Sequence, residues 1–214
     1  MANREAVIEI NQSKWYAAMK RVSGSLLSIL GLIILSPLLL IVCIAIKLED
    51  PKGPILFKQV RVGKDERQFE IYKFRTMRAD AEEMLEELLK YNEIEGAMFK
   101  MKDDPRITKI GKFLRKTSID ELPQLWNVVK GDMALVGPRP PLPREVAEYS
   151  AHDKKRLTVT PGCTGLWQVS GRNDLDFHQM VELDLQYIRE ASLLFDFKIM
   201  VKTVGAMLAP KNAY

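Results

Sequence analysis

The chain has 214 residues, enough for one domain or for one domain with an anchor. Lysine and arginine number 32 against 28 aspartate and glutamate, a formal charge of +4 and a pI near 9.0. So small a surplus gives no case for nucleic acid as a partner, but it suits a surface beside anionic lipid, where each basic residue contributes about 1 kcal/mol. Cys43 lies in an apolar run and Cys163 in a glycine-rich loop, so no disulfide framework is implied.

Residues 1–21 are polar and end in Lys20-Arg21. Residues 22–47 form a membrane element, and Val22 to Ile46 carry no charge. At about 1.5 Å per residue this run can cross a hydrocarbon core of about 30 Å. It is longer than a signal-peptide core, no small-residue cleavage site follows, and Cys43 lacks the small residues that precede a lipidation site. A single kinked span is the default reading, and two features oppose it. Ser36-Pro37 interrupts the middle of the run, where serine can satisfy a carbonyl that proline frees. Both flanks are basic: Arg4, Lys14, Lys20 and Arg21 before, Lys47, Lys52, Lys58 and Arg61 after. The positive-inside rule therefore assigns neither end a side. A re-entrant helix, broken at Ser36-Pro37 and leaving by the leaflet it entered, reconciles both.

Residues 48–214 make up the remaining domain. Glu49 to Pro54 is a turn-rich exit. Ile55–Val62 and Phe69–Thr76 read as strands joined by a hairpin connection at Gly63-Lys64-Asp65. Alternation puts Ile71, Lys73 and Arg75 on one face, so Lys73 and Arg75 are candidate anion contacts or a solvated face. Ala79–Tyr91 predicts an acidic amphipathic helix with Met84, Leu85, Leu88 and Leu89 inward. In residues 92–108, Asp103-Asp104-Pro105-Arg106 reads as a turn rather than as metal ligands.

Arg115 to Pro141 concentrates the chemistry. Leu122, Leu125, Trp126 and Val129 recur at helical spacing after Asp120-Glu121, and Pro123 is tolerated only in a first turn. A helix is therefore predicted to begin near Ser118 to Asp120, its dipole keeping both carboxylates ionised. An ionised Asp120 is a nucleophile, and Glu121 beside it can hold Mg²⁺. The same residues fit a capping box, S-x-x-E, with no chemical role. In Gly137-Pro138-Arg139-Pro140-Pro141 the prolines stiffen the backbone, so Arg139 is either a pre-organised phosphate grip or a solvated turn residue.

Pro143–Leu157 predicts a short helix ending in Lys154-Lys155-Arg156, and Leu166, Trp167 and Val169 predict a short strand. Glycines beside Arg172 would let a phosphate approach the backbone. Asp174-Leu175-Asp176 matches the D-x-D metal motif of many glycosyltransferases, but a helix cap explains it more simply. Helices are predicted over Phe177–Arg189 and Ser192–Leu208, the second amphipathic and suited to the core or to a membrane surface.

The string from Ser118 to Pro140, S-I-D-E-L-P-Q-L-W-N-V-V-K-G-D-M-A-L-V-G-P-R-P, closely resembles the bacterial sugar transferase family, the monotopic phosphoglycosyl transferases. K-F-R-T-M at Lys73–Met77 and P-G-x-T-G-x-x-Q-x-x-G-R-N at Pro161–Asn173 extend the likeness, which runs from about Lys20 to the C-terminus. The resemblance implies an α+β fold: a re-entrant membrane helix hairpin with a Ser36-Pro37 break, then a small, mostly helical cytoplasmic catalytic domain with a short β-hairpin and amphipathic interfacial helices. It implies Asp120 as nucleophile and Asp120 with Glu121 as the Mg²⁺ pair. Lys73, Arg75, Arg115, Arg139 and Arg172 then become phosphate or substrate contacts.

The expected reaction moves a sugar-1-phosphate, with a lean to glucose or galactose, from a UDP-sugar to undecaprenyl or another polyprenyl phosphate, releasing UMP. The expected place is the cytoplasmic face of a bacterial inner membrane. The expected pathway is capsule or exopolysaccharide synthesis, with membrane lipid and downstream glycosyltransferases as partners and self-association left open. Three alternatives remain: direct transfer with Asp120 as a metal ligand, a D-x-D glycosyltransferase using Asp174 and Asp176, and a non-enzymatic membrane scaffold.

Overall fold

The computed structural model describes residues 13–81, 83, 84, 88, 101, 104–171 and 175–208. Most of the helix expected at 79–91, most of 92–108, and Arg172 and Asp174 lie outside the described residues. Helices and short strands mix in an α+β arrangement.

Helix α1, Lys14–Glu49, is one continuous helix that starts within the stretch expected to be only a polar leader. Among the described residues it is the helix long and apolar enough to cross a membrane. Pro37 lies inside α1, and the helix assignment continues through it. Proline removes the N–H that would bond the Ile33 carbonyl. The Ser36 hydroxyl donates to that carbonyl at 2.8 Å, so the helix passes through with its orphaned acceptor satisfied.

Helix α1 lies antiparallel along two shorter helices, α2 (Lys109–Thr117) and α3 (Gln124–Lys130). Near its C-terminus, Val42 and Ile46 are buried with Leu114 and Phe74, and Leu38, Leu39 and Ile119 join the cluster. Further toward its N-terminus, a Cβ built on Gly31 would lie 3.4 Å from Leu125, and one on Gly24 3.7 Å from Val128. The other face stays bare: Ile33, Ile34, Leu40 and Ile41 are 64%, 65%, 61% and 64% exposed. At the N-terminal end Lys20 pairs with Asp196 at 3.2 Å, and Tyr16 donates to the same carboxylate at 2.9 Å.

Strands β1 (Leu56–Val62) and β2 (Gln68–Phe74) form the expected antiparallel hairpin, in register from Leu56 opposite Phe74 to Val62 opposite Gln68. A 3₁₀ turn, Lys64–Glu66, joins them, with Asp65 at φ 54° and Glu66 at φ 58°. A second pair was not foreseen: β3 (Ala134–Val136) and β4 (Gly162–Thr164) run parallel. Gly162 permits this, because a Cβ there would sit 2.1 Å from the Gly137 nitrogen. Pairing stops at Thr164, so Trp167–Val169 forms a 3₁₀ turn rather than the predicted strand. The helix predicted over Pro143–Leu157 divides into α4 (Pro143–Ala147) and a 3₁₀ turn, Asp153–Thr158.

Helix α5, Phe177–Glu190, opens with a capping box: Asp176 accepts from the Gln179 N–H at 2.8 Å, and Gln179 accepts from the Asp176 N–H at 3.0 Å. Helix α6, Leu193–Leu208, follows it. Val181, Leu185, Ile188 and Ile199 from these two helices pack on Val136 and Leu166.

Asn127 ties α3 to β2. Its Nδ2 donates to the Glu70 carbonyl at 2.7 Å, and its Oδ1 accepts from the Tyr72 N–H at 3.1 Å, so a fully buried side-chain amide does the work of a neighbouring strand. Asn127→Ala leaves both backbone groups unpaired and should cost on the order of 2–6 kcal/mol, since each buried orphan costs about 1–3. Denaturation of the full chain in detergent checks this; a loss under about 0.5 kcal/mol would show that the amide is dispensable.

Candidate active site

The Asp120-Glu121 pair does not start a long helix. Helix α2 ends at Ser118, whose backbone is left-handed at φ 56°, and Ile119–Glu121 form a 3₁₀ turn before Pro123 caps α3. The Ser118 side chain makes no cap bond, so the S-x-x-E capping box is not formed. The two carboxylates lie in the bend between α2 and α3. Gly111 sets α2 against the end of β2, because a Cβ there would meet the Thr76 carbonyl oxygen at 2.0 Å.

Charge pairing separates the two acids. Asp120 is 9% exposed, and among the described residues no side chain hydrogen-bonds its carboxylate. Burial pushes its carboxyl up to about 6, and the negative Glu121 adds to this against the pull of Lys73 and Arg115. A helix dipole holding Asp120 low is thus not what governs it; a 3₁₀ turn has little dipole, and desolvation dominates. Glu121 goes the other way. Burial would raise it, but Lys73 at 2.6 Å and Arg139 at 3.8 Å hold its carboxyl below the usual range. Neighbouring acids driven apart in this way are a mark of functional sites.

Lys73 arrives from β2, and its Nζ donates to Glu121 Oε1. Arg139 arrives from a backbone held on two sides. The Gly137 N–H donates to Thr164 at 2.8 Å and the Pro138 carbonyl accepts from Gly162 at 2.8 Å. On the other side the Pro140 carbonyl accepts from Arg61 at 3.0 Å and the Pro141 carbonyl from the Val62 N–H at 2.9 Å. The prolines donate nothing, and three of their carbonyls are all taken. Arg115 donates to the Thr76 hydroxyl at 2.9 Å, and its charge acts on Asp120.

Arg75 is placed elsewhere. Its guanidinium, 7% exposed, donates to the Asp50 carboxylate at 3.0 Å and to the Asp50 carbonyl at 2.6 Å, clamping the exit of α1. Because β2 ends at Phe74, the alternation that grouped Arg75 with Lys73 does not continue. Asp104 is likewise structural, paired with Arg106 at 2.7 Å. Arg172 and Asp174 fall outside the described residues.

Arg61 was not singled out in the sequence, where one arginine in an alternating strand carries no signal. It is 8% exposed and lines a small cavity with Lys73, Gln124, Arg139, Gly162 and Cys163. Burial, then Arg139, lowers its guanidinium to about 10.

Among the described residues no group of three or more His, Cys, Asp or Glu could cage a metal. Two adjacent carboxylates still fit Mg²⁺, which commonly takes one or two carboxylates and fills its remaining positions with water and substrate phosphate. Lys73 engages one oxygen of Glu121, leaving Oε2 outside that ion pair.

Residues 15–210 match the family model described as bacterial sugar transferase. The chain is 56% identical over 162 residues to the galactosyl transferase CpsE of Streptococcus agalactiae serotype III, covering 75% of this chain and 36% of that protein. It is 44% identical over 200 residues to the undecaprenyl-phosphate galactose phosphotransferase of Salmonella typhimurium, covering 92% and 42%. It is 38% identical over 204 residues to the UDP-glucose:undecaprenyl-phosphate glucose-1-phosphate transferase of Escherichia coli, covering 92% and 41%. The chain therefore spans about two-fifths of the length of these relatives. With nearly its whole length inside the family model, the chain belongs to the bacterial sugar transferase family.

Proposed function

We propose that the chain transfers a hexose-1-phosphate from a UDP-hexose to a polyprenyl phosphate, through a covalent phosphosugar on Asp120. The observation that carries this reading is a desolvated carboxylate in a bend, beside a second carboxylate held by Lys73 and Arg139. An Asp120 oxygen attacks the β-phosphorus, the bond to the UMP oxygen breaks, and UMP leaves with the electron pair. The polyprenyl phosphate oxygen then attacks the same phosphorus and expels the Asp120 carboxylate, which is regenerated. Each attack brings an anion to an anion. Two unit like charges about 4 Å apart repel by about 4 kcal/mol at an effective dielectric of 20. Lys73, Arg115 and Arg139 offset this, with Arg139 assigned to the lipid phosphate. Mg²⁺ held by Glu121 and Asp120 would neutralise phosphate charge. Galactose and glucose donors are favoured, because the relatives' names carry those sugars.

The contacts of α1 support a place of action. Its two ends and its middle rest on the same folded unit, which supports a helix whose ends stay on one side of the bilayer. We read α1 as re-entrant, lying in the cytoplasmic leaflet of the inner membrane with its bare face in lipid. Leu194, Phe197, Val201 and Val204 of α6, each exposed, are read as resting on the same interface. The lipid acceptor then reaches Asp120 from the membrane and the nucleotide sugar from water. The product would pass to the glycosyltransferases of a capsule or exopolysaccharide pathway.

UMP release from a panel of UDP-sugars, with undecaprenyl phosphate and Mg²⁺, tests the reaction. A radiolabelled phosphosugar should be trapped on the parent protein. Asp120→Asn should carry none and lose at least about 10³-fold in rate. Turnover without an adduct would instead indicate direct transfer, and UDP as product would indicate a glycosyltransferase.

Because burial raises Asp120 to about 6, protonation below that value removes the nucleophile. The plot of kcat/KM against pH should therefore have an acid limb centred near 6, falling about tenfold per pH unit beneath it. A limb centred below about 4.5 would mean that Asp120 is not desolvated in the free enzyme.

With Cys43 and Cys163 replaced by serine, Ser13→Cys and Lys52→Cys should both react with an impermeant thiol reagent from the cytoplasmic side of membrane vesicles. Labelling from opposite sides would establish a spanning helix.

A further inference from the structure

We infer that α1 acts as a splint for the bend that carries Asp120 and Glu121, and that Arg21 and Glu49 are positioning residues for the transfer reaction. The inference rests on the reading of Asp120 as the nucleophile. The segment α2–bend–α3 runs antiparallel to α1 along its length, and each outer end of that segment is held by a charged residue near one end of α1. At the N-terminus of α2, the two Glu49 carboxylate oxygens accept from the Lys109 N–H at 2.7 Å and the Ile110 N–H at 3.0 Å. At the C-terminus of α3, Arg21 donates to the Val128 carbonyl and, at 2.9 Å, to the Val129 carbonyl. Both signs suit the helix ends: an anion at exposed N–H groups and a cation at exposed carbonyls. Between the two clamps, Leu38 and Leu39 of α1 share an apolar cluster with Ile119, one residue before the nucleophile.

Ordinary capping does not require these contacts, because both helices are already capped locally. Thr108 accepts from the Gly111 N–H at 2.9 Å at the start of α2. Gly131, left-handed at φ 96°, closes α3 through its N–H to the Asn127 carbonyl at 3.0 Å. What Glu49 and Arg21 add is position relative to α1. Gly131 also makes room for the clamp, since a Cβ there would lie 2.9 Å from an Arg21 nitrogen. With both outer ends pinned and Ile119 packed on α1, the angle at the bend is set by three points on one helix. The direction in which the carboxylates face is therefore set by the membrane element.

The test uses the full chain in nanodiscs with Arg21→Lys, Glu49→Gln and the double variant. Lysine keeps the charge but cannot fork to two carbonyls, and glutamine keeps the size but loses one acceptor. Should Glu49→Gln fail to fold, Glu49→Asp, which withdraws the carboxylate by one methylene, carries the same comparison. Two readouts are taken beside the melting temperature. The first is UMP release: kcat should fall about tenfold in each single variant, with KM for the UDP-hexose within about twofold. The second needs no turnover. Amide exchange at Glu121 and Leu122, whose N–H groups donate to Ser118 and Ile119 across the bend, should quicken about tenfold. Faster exchange confined to the outer ends of α2 and α3, with Glu121, Leu122 and kcat unchanged, overturns the splint. If the parent forms no Asp120 adduct, the nucleophile reading fails, and exchange at the bend still decides whether α1 holds it.

Discussion

Two carboxylates share one bend in a place with little water, and the remainder of the structure answers that constraint. A buried anion is costly unless positive charge meets it. Here the charges come from three elements that are distant in sequence. β2 brings Lys73, α2 brings Arg115, and the proline segment after β3 brings Arg139. The cations fall unevenly: Glu121 is closely paired, whereas Asp120 is served only at a distance. That inequality holds the Glu121 carboxyl below its usual range while burial raises that of Asp120.

The β elements are small, and they act as mounts rather than as a core. β1 and β2 carry Lys73 and Arg61 on a rigid hairpin, and Arg61 reaches across to the Pro140 carbonyl. The parallel pairing of β3 with β4 holds the backbone from Gly137 onward, at a spacing that only glycine at 137 and 162 permits. A proline segment has few N–H groups with which to anchor itself. Its carbonyls must be met from outside, and the two sheets supply the donors. Arg139 thereby meets Glu121 with little conformational freedom left to lose.

The long apolar helix is both anchor and frame. Its polar ends and the small residues along its inner face let two helices lie close against it, while its outer face is left for lipid. Arg75 and Asp50 tighten its exit, and Lys20 with Tyr16 and Asp196 tighten its entry. The long apolar helix is thus also the one against which the bend carrying Asp120 and Glu121 is laid.

Much of this was legible in the residue string. The uncharged run from Val22 to Ile46, the alternation of β1 and β2, the cap at Asp176 and the use of Ser36 to relieve Pro37 all follow from local rules, because each depends on neighbours a few residues apart. The motif from Ser118 to Pro140 identified the family and named the candidate acids. What local rules could not supply was the bend itself. Helical spacing after Asp120 read as a helix start, whereas α2 already ends at Ser118 and the pair sits between two helices. Nor could spacing show that Arg75 pairs with Asp50, that Arg61 is buried beside Arg139, or that three-residue strands at 134 and 162 pair in parallel. Each of those outcomes depends on partners tens of residues away, whose approach is decided by packing and by the cost of leaving a charge or a backbone group unmet. Composition and pattern determined the anchor, the hairpin and the family; only tertiary structure decided which cations surround Asp120 and Glu121, because desolvation and charge pairing act through space and not along the chain.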